Sequence, residues 1–172
     1  MNRKRTSFIT GLAFAASAVT VTLTASPASA SNLANTLVNA NSGKCLEVEN
    51  SSTSNGARVQ QWDCNGQPSS KWKVIWAGGG GFNLVNIHSG KCLEIENSST
   101  SNGARAQQWD CNGQPGAKWT EGDGGNGHHV FKNKSGKLLE IENTSHDNGA
   151  RAQQWSDNGQ PAARWDHYGP NA

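Results

Sequence analysis

Ser42 to Trp72 reads SGKCLEVENSSTSNGARVQQWDCNGQPSSKW, and the chain contains this block three times. Ser89 to Trp119 reads SGKCLEIENSSTSNGARAQQWDCNGQPGAKW, and Ser135 to Trp165 reads SGKLLEIENTSHDNGARAQQWSDNGQPAARW. The blocks are each 31 residues long and align without gaps at offsets of 47 and 46. Self-similarity at a fixed period of this size marks a repeat architecture.

Within a block, Leu46 and Val48 alternate with Glu47 and Glu49. Period-two patterning predicts a strand with one buried and one wet face. Upstream, Thr36-Leu37-Val38-Asn39 can pair with it across the Asn41-Ser42-Gly43 turn, and residues 82–86 and 130–133 recur equivalently. Asn55-Gly56 is a turn signal before a third strand over 57–62, and Asn65-Gly66-Gln67-Pro68 is another before a fourth ending near 72–76. Four short strands in each of three units give twelve. Helical periodicity is absent, and the glycine-rich runs 78–81 and 122–127 read as connecting turns. The expectation is one all-β domain with threefold pseudosymmetry and repeats over about 34–78, 79–124 and 125–170.

The third block has drifted, and its drift is informative. Cys45 and Cys92 become Leu138, while Cys64 and Cys111 become Asp157. Four cysteines allow three connectivities; the joint loss of both positions favours Cys45–Cys64 and Cys92–Cys111. Each bridge would close a loop of about twenty residues, worth roughly 3 kcal/mol by the loop-entropy argument. The cysteines lack the closely spaced ligand pairs of structural zinc sites, and the five histidines are not spaced as a metal set. Neither a metal nor a cofactor is expected.

The first thirty residues read as a secretory signal peptide: basic at Arg3-Lys4-Arg5, apolar from Phe8 to Leu23, and small at Ala28-Ser29-Ala30. The mature domain would span 31–172, in an exported setting that permits disulfides. Three of the fifteen Lys and Arg residues lie in that leader and none of the thirteen Asp and Glu residues do, so the net charge falls from +2 to −1. No basic field remains for nucleic acid or anionic lipid, because phosphate binding needs clustered cations. A secreted, extracellular monomer is expected, with no nucleic-acid partner and no insertion into a membrane.

The run Gly-Lys-Cys-Leu-acidic-Val, then Asn-Gly-Ala-x-Val-Gln-x-Trp-Asp-Cys-Asn-Gly, then a closing Trp, resembles the ricin-type β-trefoil lectins, which include carbohydrate-binding modules of bacterial glycoside hydrolases. The resemblance covers nearly all of 31–172, three times over. It implies a β-trefoil, six strands forming a short barrel and six capping it as hairpins, with one shallow sugar pocket possible in each repeat.

Carried over residue by residue, the resemblance assigns an acidic group to Glu47, Glu94 and Glu140. It assigns an aromatic platform to Trp62, Trp109 and Trp155, and an amide to Gln60, Gln107 and Gln153. Asn65, Asn112 and Asn158 in the following loop are weaker candidates. The chemistry agrees independently. An indole covers the C–H face of a sugar, a carboxylate accepts strong hydrogen bonds from hydroxyls, and an amide both donates and accepts. Many relatives also close the repeat with Asn-Gln-x-Trp, whereas this chain has Ser69-Ser70, Gly116-Ala117 and Ala162-Ala163 there.

Structural roles fit other residues better. Trp72, Trp119 and Trp165 read as core; Gln61, Gln108 and Gln154 read as partners of buried backbone groups; Arg58, Arg105 and Arg151 read as partners of nearby carboxylates. Glu47 and Glu49, about 7 Å apart on a strand, have the separation of an inverting glycosidase pair. The pair recurs in every repeat, however, whereas a catalytic centre is normally single. The expected function is therefore that of a non-catalytic lectin, and the resemblance implies polysaccharide or glycoconjugate ligands bearing galactose, arabinose or xylose. The alternative is a protein-binding trefoil such as a secreted hydrolase inhibitor, acting through the least repeated segment, 121–131.

Overall fold

The computed structural model describes residues 34–169; the expected leader, 1–30, lies outside the described residues. Twelve antiparallel strands follow in chain order: β1 (Asn35–Asn39), β2 (Cys45–Val48), β3 (Val59–Trp62), β4 (Lys71–Gly78), β5 (Gly81–Asn86), β6 (Cys92–Ile95), β7 (Ala106–Trp109), β8 (Trp119–Gly125), β9 (His128–Asn133), β10 (Leu138–Ile141), β11 (Ala152–Trp155) and β12 (Trp165–Tyr168). Short 3-10 turns such as Glu49–Ser51 and Pro68–Ser70 join some of them. Pairing closes a ring of six: β1 to β4, β4 to β5, β5 to β8, β8 to β9, β9 to β12, and β12 back to β1. The other six form hairpins β2–β3, β6–β7 and β10–β11, each attached to the ring through its first strand. This is a β-trefoil, as the resemblance implied. Closing the ring removes the unpaired edges that an open sheet would expose.

The core is built three times. Trp72, Trp119 and Trp165 are fully buried, and their indole Nε1 groups donate to the carbonyls of Leu46, Leu93 and Leu139 at 3.0, 2.9 and 3.0 Å. Each indole thus fills the barrel with its apolar body and satisfies its one donor on the hairpin strand. Leu46, Val48, Leu93, Ile95, Leu139 and Ile141 pack into the same cluster, each contributing about 1.5–3 kcal/mol by burial.

The repeats interlock in a cycle. Isolated bridges join Arg58 to Gln107, Arg105 to Gln153 and Arg151 to Gln60. Gln61 Nε2 donates to the carbonyls of Ser145 and Asp147 at 2.9 and 3.0 Å, while Gln108 reaches Ser52 and Ser54 and Gln154 reaches Ser99 and Ser101. These glutamines do hold buried backbone, and the carbonyls belong in each case to a different repeat. Cys45 is bonded to Cys64 and Cys92 to Cys111, within their repeats.

Two expectations are corrected. The run 122–127 is not wholly a turn: residues 122–125 complete β8, and the chain reverses at Asn126-Gly127, both at positive φ. The second strand has no wet face. Glu47, Glu94 and Glu140 are only 3%, 5% and 6% exposed, because a neighbouring loop folds over them.

Candidate functional site

The loop responsible is the Asn-Gly-Gln-Pro turn after each third strand of a repeat. Its proline starts a 3-10 turn, which suits the fixed φ and missing donor of that residue. The preceding glutamine is thereby directed back over the hairpin. Gln67 Nε2 donates to Glu47 Oε2 and Gln114 Nε2 to Glu94 Oε2, while Gln160 Nε2 donates to Glu140 Oε2 at 2.7 Å. The other carboxylate oxygen accepts from the strand: Gln60, Gln107 and Gln153 donate to Glu47, Glu94 and Glu140 at 3.1, 2.8 and 2.9 Å. Strand register puts each of these glutamines directly opposite its glutamate.

Each carboxylate therefore receives one amide hydrogen bond per oxygen. A carboxylate offers about four lone-pair positions, so two remain. Burial lifts the Glu47 carboxyl above its ordinary 4.5; the Gln60 hydrogen bond opposes that rise and the charge of Glu49 adds to it.

Beside each carboxylate stands an indole. Trp62, Trp109 and Trp155 are 38%, 37% and 36% exposed, near-equal values at threefold positions. Each rests partly on another repeat: a Cβ placed on Gly149, Gly103 or Gly56 would lie 3.8, 3.5 or 3.7 Å from Cζ3 of Trp62, Trp155 or Trp109. These three glycines hold φ of +83°, +76° and +79°, a left-handed conformation that costs other residues roughly 1–2 kcal/mol. The glycine turn of one repeat is thus the wall behind the next repeat's tryptophan.

Trp62, Gln60, Glu47 and Gln67 line an open depression of about 220 Å³ together with Asn50 and Ser51. Trp109, Gln107, Glu94 and Gln114 line one of about 200 Å³ with Asn97 and Ser98. Asn112 reaches the second depression; Asn65 does not line the first, and its Oδ1 accepts from the backbone N of Gln67. Asn158 Oδ1 likewise accepts from Gln160 N. These asparagines shape the turn that aims the glutamine.

Several residues were missed from sequence. Gln67, Gln114 and Gln160 recur in every copy, but their neighbours Gly and Pro speak so strongly for a turn that the side chain drew no separate role. Asn50 and Asn97, at φ of +53° and +54°, were hidden in a polar run. The absent Asn-Gln pair leaves no gap here: Ser69-Ser70, Gly116-Ala117 and Ala162-Ala163 are buried, and the glutamine a few residues earlier reaches the carboxylate instead. Arg58 pairs with Glu49 at 2.5 Å, as expected of it, at the margin of the depression.

With this geometry in view, the chain belongs to the ricin-type β-trefoil lectin domain-like family, whose model matches residues 24–109, 69–155 and 118–169 in succession. Among solved structures it is similar to a designed threefold-symmetric protein, ThreeFoil, at 39% identity and a TM-score of 0.76, covering 78% of this chain and 96% of that one. It is also similar to an exo-β-1,3-galactanase from Clostridium thermocellum, at 34% identity and a TM-score of 0.76; the match covers 79% of this chain and 30% of the enzyme. The C-half of an earthworm R-type lectin, solved with GalNAc, shares the fold at 17% identity and a TM-score of 0.62, covering 80% of this chain and 98% of that one. No curated protein sequence matches the chain.

Proposed function

We propose that this chain is a secreted, non-catalytic lectin that takes a sugar in up to three threefold-related pockets, on polysaccharides or glycoconjugates bearing galactose, arabinose or xylose. The observation that carries the reading is the recurrence, in all three repeats, of a half-exposed indole beside a buried carboxylate fixed by two amides.

Trp62, Trp109 and Trp155 would bury the C–H face of a pyranose, the large apolar contact that a flat indole provides. Glu47, Glu94 and Glu140 would accept two adjacent sugar hydroxyls on the lone pairs their glutamines leave free. Gln60, Gln107 and Gln153, with Gln67, Gln114 and Gln160, hold the carboxylates in one orientation before any ligand arrives. Such preorganisation reduces the ordering cost of binding. Asn112 can add an amide at the rim, while Asn65 and Asn158 act through the turn.

Galactose-type ligands are supported by the galactanase carrying a similar module and by the GalNAc bound to the earthworm lectin. Repetition favours binding over catalysis, since weak pockets gain avidity when several engage one chain of sugars. The two disulfides suit an oxidising compartment.

Glycan-array binding, repeated with a Trp62→Ala/Trp109→Ala/Trp155→Ala variant, tests the proposal. Binding to galactose-, arabinose- or xylose-bearing glycans that disappears in the folded variant is the expected result. Undiminished binding by that variant would remove the tryptophans from the site. Inhibition of a secreted hydrolase with no glycan bound would replace the proposal altogether.

A further inference from the structure

The barrel end away from the hairpins carries a second constellation, which occurs once among the described residues. Glu121 on β8, His129 on β9 and His167 on β12 belong to three strands that are hydrogen-bonded side by side in the ring. His129 lies opposite Asp123 on one side and Trp165 on the other, so Glu121 and His167 are its two diagonal neighbours. His129 Nδ1 stands 2.6 Å from Glu121 Oε1, and His167 Nε2 stands 3.4 Å from the same oxygen. The imidazoles meet edge to face at 4.3 Å between centroids. One ligating atom from each residue lies within 4.8 Å of the other two, and all three side chains are between 36% and 38% exposed.

We infer that Glu121, His129 and His167 bind one divalent transition-metal ion of the zinc type. Two imidazoles and a carboxylate suit Zn²⁺, Ni²⁺ or Cu²⁺, whereas Mg²⁺ and Ca²⁺ take mostly oxygen ligands. Metal–ligand bonds of about 2.0–2.2 Å in a tetrahedron place the ligand atoms roughly 3.3–3.6 Å apart. The His167–Glu121 separation already meets this, and the His129–Glu121 contact needs to open by less than about 1 Å. Neutral His129 would shift its proton from Nδ1 to Nε2 as Nδ1 takes the metal. Three protein ligands leave the fourth position to water, and the exposure of the group gives the ion a path.

Broken symmetry explains why the site is single. Residue 74, the first-repeat counterpart of Glu121 and His167, is Val, and the counterparts of His129 are Asn35 and Phe82. The ligands therefore converge only at β8, β9 and β12, and two of them, Glu121 and His129, lie inside the segment that departs most from the repeat. Spacing along the chain reveals no metal set, because Glu121 and His167 are brought together by closure of the barrel. A bound ion would tie β12, the strand that closes the ring onto β1, to the β8–β9 hairpin. Neither ligand nor pocket is shared with the sugar site.

Isothermal titration of tag-free, chelator-stripped, disulfide-intact protein with Zn²⁺ alone tests the inference, with Co²⁺ absorption reporting the ligand set. Saturable uptake of one equivalent is expected. His129→Ala and His167→Ala should each weaken it by at least the roughly 10- to 100-fold that follows loss of even an outer-shell partner. His88→Ala and His128→Ala, the latter removing the adjacent imidazole that contacts Asp166 at 2.7 Å, should leave it unchanged. Near-UV circular dichroism verifies that every variant is folded. No saturable uptake, uptake retained by the His129→Ala/His167→Ala double variant, or uptake lost in His128→Ala but kept in His167→Ala would each overturn the assignment.

Discussion

Asn148 of the third repeat and Asp63 of the first hold each other by two hydrogen bonds across 85 residues of chain. Asp63 N donates to Asn148 Oδ1 at 3.0 Å, and Asn148 Nδ2 donates to Asp63 Oδ2 at 2.7 Å. Asn55 and Asp110 repeat the clasp between the first and second copies. Between the second and third, Ser156 stands where the others have aspartate and bonds Asn102 instead. The asparagine of each Asn-Gly turn thus latches the strand end that carries the next repeat's tryptophan, while its glycine backs the indole.

This clasp carries a pH signature. The Lys44 hydrogen bond, then the Asn148 bond, hold the Asp63 carboxyl below its ordinary 3.8. A depressed acid stabilises the fold above 3.8 and loses that contribution as pH falls through the folded value. Asn148→Ala should lower stability at neutral pH, and its deficit should shrink in acid. Urea unfolding at neutral pH and below 3.8 checks this; an equal deficit at both would remove the charge-assisted bond from the account.

Gln61→Leu should be costly although it only exchanges one buried side chain for another. The amide donates to two carbonyls and accepts from Ser42 Oγ at 2.6 Å. Leucine leaves those groups unsatisfied, a loss of about 2–4 kcal/mol. Denaturant unfolding should show it, with Gln60→Leu as the milder comparison.

The third repeat can be given the bridge it lacks. Cα atoms of the existing pairs are 5.1 and 5.2 Å apart, and Leu138 and Asp157 occupy the equivalent positions. Leu138→Cys/Asp157→Cys should form a third disulfide worth about 3 kcal/mol, less about 1–2 kcal/mol for the lost leucine packing. Thiol titration and thermal unfolding with and without reductant measure both parts.

Sugar binding by the first pocket should weaken as pH falls, and should do so above the range of an ordinary glutamate. Burial keeps the Glu47 carboxyl above 4.5, so it protonates earlier and loses acceptor strength toward hydroxyls. The same raised value makes stability fall slightly as pH rises from 4.5 through it, because the folded state holds the proton longer. Fluorescence titration of a Trp109→Ala/Trp155→Ala variant with a galactose-bearing glycan isolates this pocket; affinity flat with pH to 4.5 and below would contradict it.

The repeat, the hairpins, both disulfide pairs, the core role of Trp72, Trp119 and Trp165, and the structural use of Gln61 were all legible in the sequence. Each follows from local patterning or from what the drifted third copy lost together. Glu47 was misread as wet because alternation reports which side of a strand a residue faces, and says nothing about what later covers that side. Gln67 was read as part of a turn because Gly66 and Pro68 dictate backbone whatever lies between them.

The threefold, all-β character of the chain, its strands and the covalent links within repeats are set locally, since they depend on neighbours close along the chain. Folding in three dimensions sets the Asn-Gly turn of one repeat behind the tryptophan of the next. It alone buried the carboxylates under Gln67, Gln114 and Gln160, and brought Glu121, His129 and His167 to one point. Closing twelve strands into a capped barrel joins residues through a ring, and the order of residues along a line does not record which of them a ring will bring face to face.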